Sequence, residues 1–112
     1  MEEQAKRRAP KPVEPVEINN IRYEVIRAAK SRGFEQNGGV IAAVDIAKDE
    51  ELWTLVVYQT VYDQNEEQDV QDVYITKLIP SQDKKTLRVE NEAHKSYLVN
   101  LSSHEVLEIT EK

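Results

Sequence analysis

Along residues 18–34, INNIRYEVIRAAKSRGF, two hydrophobic periods compete. Ile18, Ile21, Val25 and Ala28 recur at helical spacing, with Asn19 or Asn20 as a cap and Gly33 as a stop. In the same stretch Ile21, Tyr23 and Val25 alternate with Arg22 and Glu24, as a half-buried strand would. Periodicity alone leans to a helix over 19–32.

Beyond Gly39 the pattern is that of strands. Val40 to Ile46 is β-branched and alanine-rich, Ala47-Lys48-Asp49-Glu50 is a polar turn, and Leu52 to Tyr62 is a second apolar run. In that run Trp53, Leu55 and Val57 oppose Leu52, Val56 and Tyr58, so both faces are apolar and a central strand is predicted. Asp63 to Asp69 holds no apolar residue and is a solvated loop. Val70 to Ile79 resumes strand chemistry, with Val73 and Ile75 on one face and Tyr74 and Leu78 on the other, until Pro80 stops it and Pro80 to Asp83 turns. Leu87 and Val89 alternate with Arg88 and Glu90, and Tyr97, Val99 and Leu101 with Leu98 and Asn100, predicting a hairpin with one wet face. Ser102-Ser103-His104-Glu105 matches a capping box, with Leu101 and Val106 placed for a hydrophobic staple, which predicts a short helix over Ser103 to Thr110.

At Gly39 to Trp53, GVIAAVDIAKDEELW, the order glycine, strand, Ala-x-Asp, polar turn, Glu-x-Leu-Trp resembles a repeat of the quinoprotein-type β-propellers. The segment from Ser81 to Val89 resembles the serine-x-aspartate-glycine-lysine turn and strand of many propeller blades. Asp49 and Lys84 stand where those repeats usually have glycine, which would supply a positive φ that lysine does not favour. The resemblance implies antiparallel sheet and tips Ile21 to Ala28 from helix to strand. A whole propeller is not implied, because one blade takes about 40 to 45 residues and at least four are typical. Through RYEVI, QNGG, DEELW and EEQDVQDVYIT the chain also resembles a family of small uncharacterised bacterial proteins, a likeness that carries over no catalytic residue or substrate.

The expected fold is therefore mainly β: a single small antiparallel sheet, barrel or sandwich of about six strands with a short C-terminal helix. The alternative is an α+β fold with an N-terminal helix at 19–32. A chain of 112 residues is one domain by size. Three of its four prolines, Pro10, Pro12 and Pro15, lie among alternating charges, so residues 1–17 read as a disordered tail and 18–112 as the β-rich domain. No apolar run approaches the roughly 20 residues of a membrane helix, and none follows Lys6-Arg7-Arg8 to form a secretory signal, so a cytoplasmic protein is expected. Without cysteine, disulfides, thiolate metal sites and cysteine nucleophiles are excluded.

Net charge adds one constraint. The chain carries −6, while Glu2, Glu3, Glu14 and Glu17 balance Lys6, Arg7, Arg8 and Lys11, so the whole excess falls on the domain. That field disfavours nucleic acid, unless the basic tail supplies the contacts.

Candidate chemistry is sparse. Arg27, Lys30 and Arg32 precede a turn, Gln36-Asn37-Gly38-Gly39, whose amides are donors for an anion. The spacing is that of neither a dinucleotide fingerprint nor a P-loop, and the plainer reading is a connection that needs Gly38 and Gly39 for backbone geometry. Asp63, Asn65, Glu67 and Asp69 alternate as in a calcium loop, but Gln68 replaces the turn glycine and Tyr74 the closing glutamate. His94 and His104 lack zinc-site spacing, and no metal ligand or cofactor is nominated. No nucleophile elbow or nucleotide fingerprint is present, so no catalytic residue is nominated and enzymatic activity is left open. Two-faced apolar strands without a reaction motif point to a small non-catalytic domain acting in protein interaction or assembly, with a protein partner or a second copy. The rival is an anion or phosphorylated small ligand, with enzymatic turnover as an option, at Arg27, Lys30, Arg32, Gln36, Asn37, Gly38 and Gly39.

Overall fold

The computed structural model describes residues 12–60 and 72–109. The basic triplet at 6–8, most of the proline-rich tail, Tyr62 and the acidic run at 63–69 lie outside the described residues. Eight strands form two four-stranded antiparallel sheets, each a meander in which neighbours in sequence are neighbours in space. The first sheet comprises β1 (Val16–Ile18), β2 (Ile21–Val25), β3 (Val40–Asp45) and β4 (Glu50–Val56); the second comprises β5 (Ile75–Pro80), β6 (Thr86–Asn91), β7 (Ser96–Asn100) and β8 (Val106–Ile109). The mainly β expectation holds, but a single sheet of about six strands does not. Strand begins at Val16, two residues before the expected domain start.

The two sheets share one core. Ile18, Tyr23, Ile41, Ala43 and Val57 from the first meet Ile75, Leu78, Leu87, Val89, Tyr97 and Val99 from the second. β1 lies against β5. On the opposite side of the first sheet, Val40, Ala42 and Val56 are covered by Ile26, Ala29 and Phe34 from the connection between β2 and β3. That second layer explains why β3 is buried along nearly its whole length.

The competing period over 19–32 resolves to strand followed by a single turn of 3-10 helix, Ala29–Arg32, so the α+β alternative is overturned. Asn19 and Asn20 do not cap a helix: with φ of 52° and 69° they form the two-residue turn between β1 and β2. Both positive values suit the tight hairpin turn that follows strand twist, and asparagine tolerates them better than most residues. Ile21, Tyr23 and Val25 then all face the shared core, which the helical reading would have divided.

The predicted C-terminal helix is also overturned. Ser103 Oγ accepts from Glu105 N at 3.2 Å, a local turn contact, but Val106–Ile109 is strand β8, with Val106 opposite Val99 and Leu107 opposite Leu98. A helix of eight residues is marginal in isolation, whereas a strand here satisfies the open edge of β7.

Two bulges shift faces where strict alternation fails. Between Ala43 and Val44 the partner jumps from Trp53 to Glu51, leaving Leu52 as the extra residue. β4 is thus an edge strand whose Leu52 is 46% exposed, not the central strand its two apolar faces suggested. Between Ile75 and Lys77 the partners are Asn91 and Glu90, so Thr76 is extra and Ile75 and Leu78 share the core face.

The hairpins turn without glycine. Asp49 (φ 53°), Lys84 (φ 62°), His94 (φ 65°) and His104 (φ 68°) each take the left-handed conformation. The first residue of each loop supplies a side-chain oxygen: Asp45 Oδ1 accepts from Lys48 N, Ser81 Oγ from Thr86 N, Asn91 Oδ1 from Ala93 N and Lys95 N, and Asn100 Oδ1 from Ser102 N and Ser103 N. The Ser81 hydroxyl and the Lys85 N–H both donate to Asp83, which holds its carboxyl below the usual range. Asp49 and Lys84 therefore adopt, at some steric cost, a conformation that glycine would take more cheaply. Lys84→Gly is expected to raise stability by about 1 kcal/mol, read by urea denaturation, because it relieves a left-handed side-chain position.

Candidate functional site

The connection from Arg27 to Gly39 is the polar feature singled out by sequence, and its residues divide into two groups. Gln36, Asn37, Gly38 and Gly39 come together at a buried junction. The Gln36 amide Nε2 donates to Gly38 O and Tyr58 O, both at 2.7 Å, while its Oε1 accepts from Thr60 N at 2.9 Å. Asn37 Oδ1 accepts from Lys30 N at 3.0 Å, and its Nδ2 donates to Asp72 at 3.3 Å. These bonds satisfy backbone groups that burial would otherwise leave costly.

Of the three cations, Arg32 is drawn towards β4. The Arg32 guanidinium pairs with both oxygens of Glu51 on β4, at 2.7 and 2.9 Å, and this carboxylate raises its pKa. Arg27 is exposed at the turn ahead of the 3-10 segment, and Lys30 lies within that segment.

The paired glycines make room. A Cβ on Gly38 would collide with the Val73 carbonyl, and one on Gly39, at φ 79°, would stand 2.8 Å from the Tyr58 ring. The Tyr58 hydroxyl donates to that same Val73 carbonyl at 2.6 Å, and its ring stacks on Tyr97 with centroids 5.1 Å apart. Gly38, Tyr58 and Val73 thereby fasten the chain where it enters the second sheet.

The second sheet presents a face of a different kind. Register places Ile79 beside Arg88, Arg88 beside Leu98 and Leu98 beside Leu107, in one row across all four strands. Ile79 is 37% exposed and Leu107 66%. Among the described residues nothing covers this row as the 26–39 connection covers the first sheet. Lys77 faces Glu90 across the strands, Arg88 Nε pairs with Glu90 at 3.0 Å, and Arg88 Nη2 donates to Ser96 Oγ at 3.1 Å. Sequence reasoning placed Leu98 on the wet side of its strand but assigned Leu107 to a helix and Ile79 to no surface. The usable signal was the β8 pattern Val106-Leu107-Glu108-Ile109, apolar on both faces.

Neither histidine stands in a metal-binding group. His94 occupies the β6–β7 turn, and His104 packs on Trp53 with centroids 4.1 Å apart and the rings tilted by 33°. Trp53 packs against the core, as expected of it, 6.0 Å from Tyr23. Among the described residues no three His, Asp or Glu side chains are grouped to hold a metal, and no helix is long and apolar enough to cross a membrane. No protein-family model matches the chain, and a search of curated proteins found none similar to it.

Two predictions follow from the junction. Gly38→Ala is expected to cost about 1–3 kcal/mol by overpacking against Val73, measured by chemical denaturation. Burial pushes the Tyr58 phenol well above its ordinary pKa and moves Tyr97 and Tyr23 the same way. In each case the folded value lies above the unfolded one, near about 10, so the stabilisation is complete below that pH and is lost as pH rises beyond it. Melting temperature should fall steeply above about pH 10, and Tyr58→Phe should flatten that fall.

Proposed function

We propose that the protein is a small non-catalytic domain that works by self-association through the outer face of its second sheet. The observation that carries this reading is the difference between the two outer faces: one is roofed by the chain's own 26–39 connection, while the other exposes Ile79 and Leu107 in one row with Leu98. Exposed apolar rows on a sheet are unfavourable in water and are usually covered.

A second copy suits the charge pattern. The chain as a whole is strongly acidic, yet Lys77 and Arg88 on this face are matched by Glu90 on the face and Glu105 at its rim. Two such faces related by a two-fold axis can set Arg88 of one against Glu90 of the other, where elsewhere two acidic copies repel. Four strands spaced roughly 4.8 Å apart, at about 3.3 Å per residue, give a face only about 15 Å by 17 Å. Such an area falls below the roughly 1,200 Å² of standard interfaces, so the association is weak and reversible.

Sedimentation velocity should show dimer growing above roughly 100 μM, as suits an interface of this size. Leu107→Arg should return the chain to monomer with an unchanged circular dichroism spectrum. A wild-type chain that stays monomeric at millimolar concentration, or a dimer insensitive to Leu107→Arg and Leu98→Glu, would overturn the reading.

A further inference from the structure

At the end of the sandwich where the β1–β2, β5–β6 and β7–β8 turns meet, a cavity of about 410 Å³ opens between the sheets. Its wall is apolar at Ile18, Ile21 and Leu101, and polar at Asn19, Asn100 and Ser102. Lys84 and Lys85 complete the lining. A volume of this order, with an apolar floor and a few converging polar groups, has the make-up of a small-molecule site.

Tyr23 distinguishes it from an ordinary surface dip. The residue is 4% exposed and lines the cavity, yet its hydroxyl makes no hydrogen bond to any described residue. Among the described residues the sealed side-chain atom without a partner is Thr60 Oγ1, so the Tyr23 hydroxyl is not wholly sealed, and the cavity is the opening that this residue lines. Burial alone raises its pKa, with no neighbouring charge or hydrogen bond contributing. A buried phenol normally finds an acceptor, and here the cavity is where an acceptor can enter.

Lys84 adds a positive charge to the lining. It holds a left-handed conformation that glycine would adopt more cheaply, and this places a lysine at the cavity in a chain of net charge −6. Asp83 in the same turn accepts from the Ser81 hydroxyl and the Lys85 N–H, and the Lys85 charge also acts on it.

We infer that this cavity binds a small carboxylate with a short apolar body and a second oxygen acceptor. The carboxylate meets Lys84 and Lys85, the body lies on Ile18, Ile21 and Leu101, and the second oxygen accepts the Tyr23 hydroxyl proton. The site is separate from the outer face of the second sheet and does not depend on self-association.

The probe is 4-oxopentanoate, titrated into the full-length chain labelled with nitrogen-15, with hexanoate and 2-hexanone as controls lacking the keto oxygen and the carboxylate. Saturable amide shifts are expected at Asn19, Lys84, Lys85 and Ser102, with affinity in the millimolar range, about 1–10 mM for so small a fragment. Hexanoate should bind about fivefold more weakly, the value of one neutral hydrogen bond, and 2-hexanone more weakly still. Tyr23→Phe should bring 4-oxopentanoate down to the level of hexanoate without changing the melting temperature, because the hydroxyl has no partner within the fold. Lys84→Gly should lose binding while gaining stability. No saturable shift at these residues, equal affinity for hexanoate, unchanged affinity in Tyr23→Phe, or destabilisation by Tyr23→Phe would each overturn the assignment.

Discussion

The two sheets depend on how one carbonyl, that of Val73, is held. The chain reaches it on its way into β5, and it is gripped from two sides: the Tyr58 hydroxyl donates to it, and Gly38 approaches so closely that no side chain fits between. Both partners belong to the first sheet's end of the molecule. Because a half-buried carbonyl without a donor is costly, this bond helps fix where the second sheet begins relative to the first. Gln36 extends the constraint, since its single side chain bonds the backbone of Gly38, Tyr58 and Thr60. Stacking of Tyr58 on Tyr97 then carries it across to β7.

Given that anchor, each meander needs only local turns. A chain with three glycines builds four of its hairpin connections around aspartate, lysine or histidine at positive φ. Side-chain oxygens of Asp45, Ser81, Asn91 and Asn100 offset part of that steric cost by bonding turn amides. Gly33 supplies only a permissive φ after the 3-10 turn, whereas Gly38 and Gly39 stand where the lack of a side chain is itself required. The division is physical: a turn at the surface can tolerate a strained residue, but the contact of Gly38 with a backbone carbonyl admits no relaxation.

The same economy leaves the molecule asymmetric. Residues 26–39 roof one sheet, and nothing comparable among the described residues roofs the other. Burial that the chain does not provide for itself is available to a second copy. The cavity at the turn end has another origin: sheets that twist and pack face to face diverge towards their ends, and around that gap Lys84 and Lys85 of the β5–β6 turn line the same cavity as Tyr23 of β2.

Alternation and turn chemistry in the sequence were enough to predict strand at 40–46, 52–62, 86–90 and 97–101, each overlapping an observed strand although β4 spans Glu50–Val56 and not the whole 52–62 run, because side-chain period and turn propensity are local properties. They also placed Trp53 in the core and gave backbone geometry as one reason for Gly38 and Gly39. Local pattern did not reveal that Ile75 and Leu78 share a face or that Leu52 is extruded, since a bulge is set by the partner strand. Nor did it reveal β8, because a capping box and a strand edge compete for the same residues and only the open side of β7 decides between them. The meeting of Tyr23 with Lys84 and Lys85, like the exposure of Leu107, arises from contacts between residues far apart in the chain. Only tertiary packing fixes those, because it selects which of a strand's two faces the rest of the molecule covers.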